Sequence, residues 1–172
     1  MALSKITNAS VADTAVHGRR NIIINGAMQV WQRGTSQTGG GYGSVDRFIF
    51  GSTAGITAAR STDVPFSYYD YSVVINTGTA PSDYIVRYRV EDLPTILSDT
   101  SRTFTLSYYA KASSNVTLSV NIVDGTSTSH SLTTNWQRFT HTQTGVVTAH
   151  SHIDWETSDA NVNIYLTGVQ LE

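Results

Sequence analysis

Apolar and polar residues alternate one for one through most of the chain after residue 20. In Phe104-Thr105-Leu106-Ser107-Tyr108 the apolar side chains alternate with hydroxyls, and Val116-Thr117-Leu118-Ser119-Val120-Asn121-Ile122 repeats the pattern more cleanly. Val162, Ile164 and Leu166 carry it toward the end. Successive side chains of a strand point to opposite faces, so a period of two predicts half-buried β-strands. In 84–90, Tyr84, Val86, Tyr88 and Val90 fall on one face, with Ile85, Arg87 and Arg89 on the other. After Leu166 the apolar phase moves by one, to Val169 and Leu171, and Gly168 stands at the slip. A β-bulge is predicted there. Further strands are predicted at 21–25, 28–32, 47–50, 55–60, 71–76 and 137–142. Gly39-Gly40-Gly41, Asn76-Thr77-Gly78, Ser113-Ser114-Asn115 and Asp124-Gly125 supply turns between them, the last a hairpin signal. One short helical stretch is predicted, over 93–98.

Many short strands at near-regular spacing imply an all-β fold of two packed sheets. A two-sheet jelly-roll β-sandwich is the preferred topology, and an immunoglobulin-like sandwich is the second. Residues 1–20 differ. Ile6, Val11 and Val16 recur every five residues among small and polar neighbours, a spacing that fits neither strand nor helix. We read 1–20 as a short extended N-terminal arm that serves attachment or oligomer contact, and 21–172 as the sandwich. With no core of its own, the arm is expected to order only against a neighbour.

At 172 residues a single domain can bury enough surface to fold without metal or disulfide, and no cofactor is expected. The chain has no cysteine, which excludes thiol chemistry. Eleven basic and 13 acidic residues leave a formal net charge of −2, with no basic stripe of the kind that neutralises phosphates, so no nucleic-acid partner is expected. Only 14% of residues are charged, against about 25% in ordinary globular chains. Ser, Thr, Asn, Gly and Tyr take their place, giving a surface that hydrogen-bonds and stacks. No run approaches the ~20 apolar residues of a membrane span, so no membrane insertion is expected. The opening MALSKITNAS lacks the apolar core of a secretory leader.

The stretch from Gly18 through Arg20-Asn21-Ile22-Ile23-Ile24-Asn25-Gly26-Ala27-Met28-Gln29-Val30-Trp31-Gln32-Arg33-Gly34 to Ser36 resembles the opening of a domain common in bacteriophage tail fibres and other virion proteins. A Gly/Tyr-rich loop, Asp46-Arg47-Phe48, a strand like 103–111, Asn135-Trp136-Gln137-Arg138-Phe139 and the closing Thr167-Gly168-Val169-Gln170-Leu171-Glu172 follow in the same order. The resemblance implies a jelly roll like that of carbohydrate-binding modules. It further implies a homotrimeric virion subunit, on the tail or capsid exterior, joined to other virion proteins through the arm. Two functions follow from it. One is a tail-fibre or tail-tip subunit that contacts host surface polysaccharide. The other is a capsid decoration protein that stabilises the shell.

A third class, a glycan-degrading enzyme, finds no support among the residues, and the chain is read as a non-enzyme. No Gly-x-Ser-x-Gly elbow occurs. Glu91 and Asp92 are adjacent, so on a strand they point to opposite faces and cannot by themselves act as a glycosidase pair, which leaves only carboxylates distant in sequence that the fold brings together. The glycines from Gly39 to Gly43 are followed by no helix pattern that could hold a phosphate, and are read as a mobile loop. Tyr42, Tyr68 and Tyr69 lie near turn signals and are the candidate glycan contacts, beside Tyr71. Trp31 and Trp136 are read as core residues. If His150-Ser151-His152-Ile153-Asp154-Trp155-Glu156 is a strand, then His150, His152, Asp154 and Glu156 share one face and Ile153 and Trp155 the other. We read this as a polar solvent face over a buried one. The other reading has His150 and His152 converge on a metal ion.

Overall fold

The computed structural model describes residues 21–52, 54–79, 81, 84–90, 103–122, 127–144 and 152–172. Among them the regular structure is all strand: β1 (Ser36–Thr38), β2 (Phe48–Phe50), β3 (Thr57–Ser61), β4 (Ser72–Asn76), β5 (Tyr84–Arg89), β6 (Thr103–Ala112), β7 (Val116–Ile122), β8 (Thr128–Leu132), β9 (Gln137–Thr144), β10 (His152–Glu156) and β11 (Asn163–Leu171). One sheet runs β1-β3-β4-β11-β6-β9 and the other β2-β5-β10-β7-β8. Neighbours within each sheet are antiparallel. This is the jelly-roll sandwich that the alternation predicts. The arm, the 93–98 stretch, the Asp124-Gly125 turn, Glu91-Asp92 and His150 lie outside the described residues.

The alternating apolar residues form the space between the sheets. Phe104, Leu106 and Tyr108 of β6, with Ile164 and Leu166 of the neighbouring β11, face Leu118 and Val120 of β7 and Ile153 and Trp155 of β10, all in one buried cluster. Burying each such side chain contributes on the order of 2 kcal/mol. The bulge at Gly168 is present: the β11–β6 register shifts between Thr167 and Gln170, and Gly168 takes φ 63°, a left-handed conformation that favours glycine. Asn76-Thr77-Gly78 closes as a turn, with the Gly78 N–H donating to Asn76 Oδ1 at 3.0 Å.

Several local expectations are corrected. The stretches 21–25 and 28–32 are not strands. Asn25 and Met28 adopt φ 61° and 55°, which turns the chain so that Ile23 and Met28 enter the core while Ile24 is left 60% exposed. The Gly39–Gly43 loop is laced by one side chain. Gln37 Nε2 donates to the Gly39 and Gly41 carbonyls, and Gln37 Oε1 accepts from the Gly43 N–H. In β5 the pairing with β10 skips a residue between Trp155 and Glu156. Ile85 therefore joins the core, and Tyr84 moves outside, where the Arg87 guanidinium lies 3.9 Å from its ring centroid. On β10, Ile153 and Trp155 are buried, but the opposite face is not simply solvated. Asp154 is 4% exposed because β10 is a central strand between β5 and β7, and both its oxygens accept from Arg87 at 2.6 Å.

At the β8–β9 side of the sandwich, His130 packs on Phe139 (4.9 Å between ring centroids) and edge-on to Tyr108 (5.9 Å). The Thr128 hydroxyl meets His141 Nδ1 at 2.7 Å and joins the two sheets. Burial pushes the His130 pKa below the usual imidazole value, and the nearby His141 adds to the shift. The native state thus holds His130 neutral, while the unfolded chain takes up the proton more readily. Stability is therefore expected to be flat above about pH 6.5 and to fall as pH drops from there toward the lowered native pKa. Melting curves recorded across this range should lose that decline in His130→Gln. A decline that survives the substitution would assign it to another group.

Candidate functional site

The alternation that sends Phe104, Leu106 and Tyr108 inward turns Thr105, Ser107, Tyr109 and Lys111 outward. Register places Lys111 opposite Tyr165, and Tyr109 opposite both Thr167 and Arg138. The β3–β4 connection, residues 62–71, folds onto this outer face. Within it the Tyr69 N–H donates to the Phe66 carbonyl at 3.1 Å, a tight turn that projects three rings from one point. Phe66 stacks on Tyr68 with centroids 5.2 Å apart, and Tyr68 meets Tyr69 at 4.7 Å. Tyr109 makes T-shaped contacts with Phe66 at 5.3 Å and with Tyr69 at 6.0 Å between ring centroids. The platform is open to solvent: Phe66 is 45% and Tyr68 69% exposed.

Both ends of the connection are fastened. Asp63 accepts an ion-paired hydrogen bond from Lys111 and another from the Trp136 indole at 2.9 Å. Partial burial pushes the Asp63 carboxyl up, but these two hydrogen bonds and the Lys111 charge outweigh it and hold the group below the usual carboxylate range. The Lys111 ammonium also lies 4.8 Å from the Tyr165 ring centroid and 5.6 Å from that of Trp136. At the other end the Thr167 hydroxyl donates to the Tyr71 carbonyl at 3.0 Å. Gly168 completes the seat. A Cβ there would lie 2.6 Å from the Tyr69 hydroxyl and 3.0 Å from the Tyr109 ring, so the bulge glycine makes room for both. Burial raises the Tyr69 phenol, Tyr68 and Tyr109 add to this, and the Arg138 charge offsets part of it. The Tyr69 phenol is thus a neutral donor at ordinary pH.

Of the predicted contacts, Tyr68 and Tyr69 come together in this platform. Tyr42 lies on a different loop, 45% exposed, with Arg33 5.3 Å from its ring centroid. Trp136, read as a core residue, is half-exposed beside Tyr165 on the outer face. Trp31 packs partly buried against the core, and Trp155 is fully buried. His152 Nε2 sits 3.4 Å from Asp154 Oδ2. Among the described residues no group of three or more His, Asp or Glu could hold a metal ion. Phe66, Tyr109, Asp63, Lys111 and Tyr165 were not among the predicted contacts. For Tyr109 and Lys111 the signal was present, since they alternate with Tyr108 and Ala110. A separate cleft of about 360 Å³ lies by Asn115, Thr117, Thr133 and Asp159, and its carboxylate already accepts from the Thr117 N–H.

No family model matches the chain, and no curated protein matches it. Solved structures share its fold, that of carbohydrate-binding-module jelly rolls. The CBM22-1 xylan-binding domain of Paenibacillus barcinonensis Xyn10C superposes with a TM-score of 0.58 at 11% identity, covering 89% of this chain and 94% of that one. A putative sugar binding protein from Bacteroides thetaiotaomicron gives 0.56 at 11% identity, covering 89% and 99%. The enzymatically active domain of bacteriophage CBA120 tailspike protein 4 gives 0.57 at 14% identity, covering 88% of this chain and 21% of that one. This chain therefore spans about a fifth of the tailspike structure. At these identities the likeness is one of fold.

Proposed function

We propose that this chain is a phage adhesion subunit that binds host surface glycan through the platform of Phe66, Tyr68, Tyr69 and Tyr109. The observation that carries the reading is an exposed aromatic group on a sheet face, fastened at both ends before any ligand arrives. Rings fixed in advance lose little side-chain entropy on binding, and their faces offer flat apolar area beside hydroxyl handles. The sugar-binding and tailspike proteins that share the fold support the reading, as do the fibre-like opening and closing motifs. The role is binding without cleavage. A glycosidase acid needs a raised pKa, and Asp63, the carboxylate built into the platform, is held low by Lys111 and Trp136. The subunit works on the virion exterior as a homotrimer, with the arm as its attachment.

The test is retention of the isolated protein on immobilised bacterial surface polysaccharides. Saturable retention supports adhesion. Silence on every polysaccharide, together with tight binding to capsids, would favour the decoration role.

A further inference from the structure

Arg138 stands beside the platform with its charge unspent. It projects from the same sheet face as Tyr109, its register partner, and is exposed. Its Nη2 donates to the Ser107 hydroxyl at 3.1 Å, which orients the guanidinium without neutralising it. The platform's other cation, Lys111, is already paired with Asp63. Asp70, the other acid of the connection, forms no ion pair among the described residues, and none of the described ion pairs involves Arg138. Sugar-stacking rings flanked by one free, planar, five-donor cation form a surface matched to a ring that carries a carboxylate. The guanidinium fork fits the two oxygens of such a group, whereas a neutral sugar leaves the charge unanswered.

Building on the proposed glycan platform, we infer that its ligand is an acidic glycan, with sugar faces on Tyr68, Tyr69 and Tyr109 and a uronate-type carboxylate on Arg138. The interaction is non-covalent and needs no cofactor. Arg138 then sets specificity, and the rings supply area.

The experiment uses the full chain and a panel of polygalacturonate, alginate, hyaluronan and polysialic acid, each beside its carboxyl-reduced form, with xylan and β-glucan as neutral polymers. Binding is expected to at least one acidic polymer. Carboxyl reduction and Arg138→Ala should each weaken it about 10- to 100-fold, the range for hydrogen bonds to a charged group. Arg138→Lys should recover part of the loss. An unchanged melting temperature in both variants shows that the effect is not unfolding. Binding to neutral or carboxyl-reduced polymers that ignores Arg138→Ala would overturn the acidic-ligand inference and leave the platform standing. Absence of binding to every polymer by folded protein would count against the platform itself, and the inference would fall with it.

Discussion

Replacing Tyr68 and Tyr69 together with alanine is expected to remove glycan retention while moving the melting temperature by only a few degrees. The two rings lie at the centre of the exposed network, 4.7 Å apart, and Tyr68 gives 69% of its surface to solvent. Truncating an aromatic anchor in a contact surface costs about 2 kcal/mol or more, so losing two should weaken binding on the order of a thousandfold. The cost to folding is smaller. Aromatic pairs contribute about 1 kcal/mol beyond burial, and the connection stays fastened through Asp63, Lys111, Trp136 and Thr167. Tyr42→Ala is the matched control. Tyr42 is exposed but stands under Arg33, on another loop, and its loss should leave retention intact. Isothermal titration or surface retention would read both variants. Should Tyr42→Ala remove binding while the double variant keeps it, the contact surface is the Gly/Tyr-rich loop.

The sandwich was legible because most strands bury one face only. β6, β7 and β11 announce themselves by strict alternation, and the phase slip at Gly168 marks its bulge. Alternation fails where both phases are apolar. Tyr84-Ile85-Val86 contains the skipped residue, and nothing in three consecutive apolar side chains says which one is extra. Ile22-Ile23-Ile24 misleads in the same way. Three β-branched residues read as a strand, yet Asn25-Gly26 behind them turns the chain. Trp136 was misplaced because it precedes β9, so the strand's phase does not govern its direction. The platform was half legible. Turn-proximal tyrosines pointed to Tyr68 and Tyr69. The fastening was invisible, because Asp63 meets Lys111 across 48 residues and Trp136 across 73. Pairings that distant are set by topology and leave no local pattern.

Asn25→Ala is expected to destabilise the domain by about 3 kcal/mol, from four lost hydrogen bonds and a strained backbone. Asn25 Oδ1 accepts from the Gln29 and Val30 N–H groups at 2.9 Å. Its Nδ2 donates to the Val30 and Asp46 carbonyls at 3.0 Å. Alanine keeps none of these and tolerates φ 61° poorly. The consequence travels beyond the turn. Gly26 accepts from the Val169 N–H at 2.9 Å, and the Ile22 N–H donates to Leu171, so the turn braces β11 directly beside the Gly168 seat of Tyr69. For a domain of this size a loss of about 3 kcal/mol lowers the melting temperature by roughly 6–12 °C. Asn25→Gly separates the causes. Glycine accepts the left-handed backbone but makes no side-chain bonds, and should recover only about 1–2 kcal/mol of the loss. Full recovery in Asn25→Gly would show that the backbone alone sets the requirement and that the four bonds contribute nothing. A melting temperature unchanged in Asn25→Ala would mean that the turn does not brace the closing strand, and the link from the opening motif to the platform would be broken.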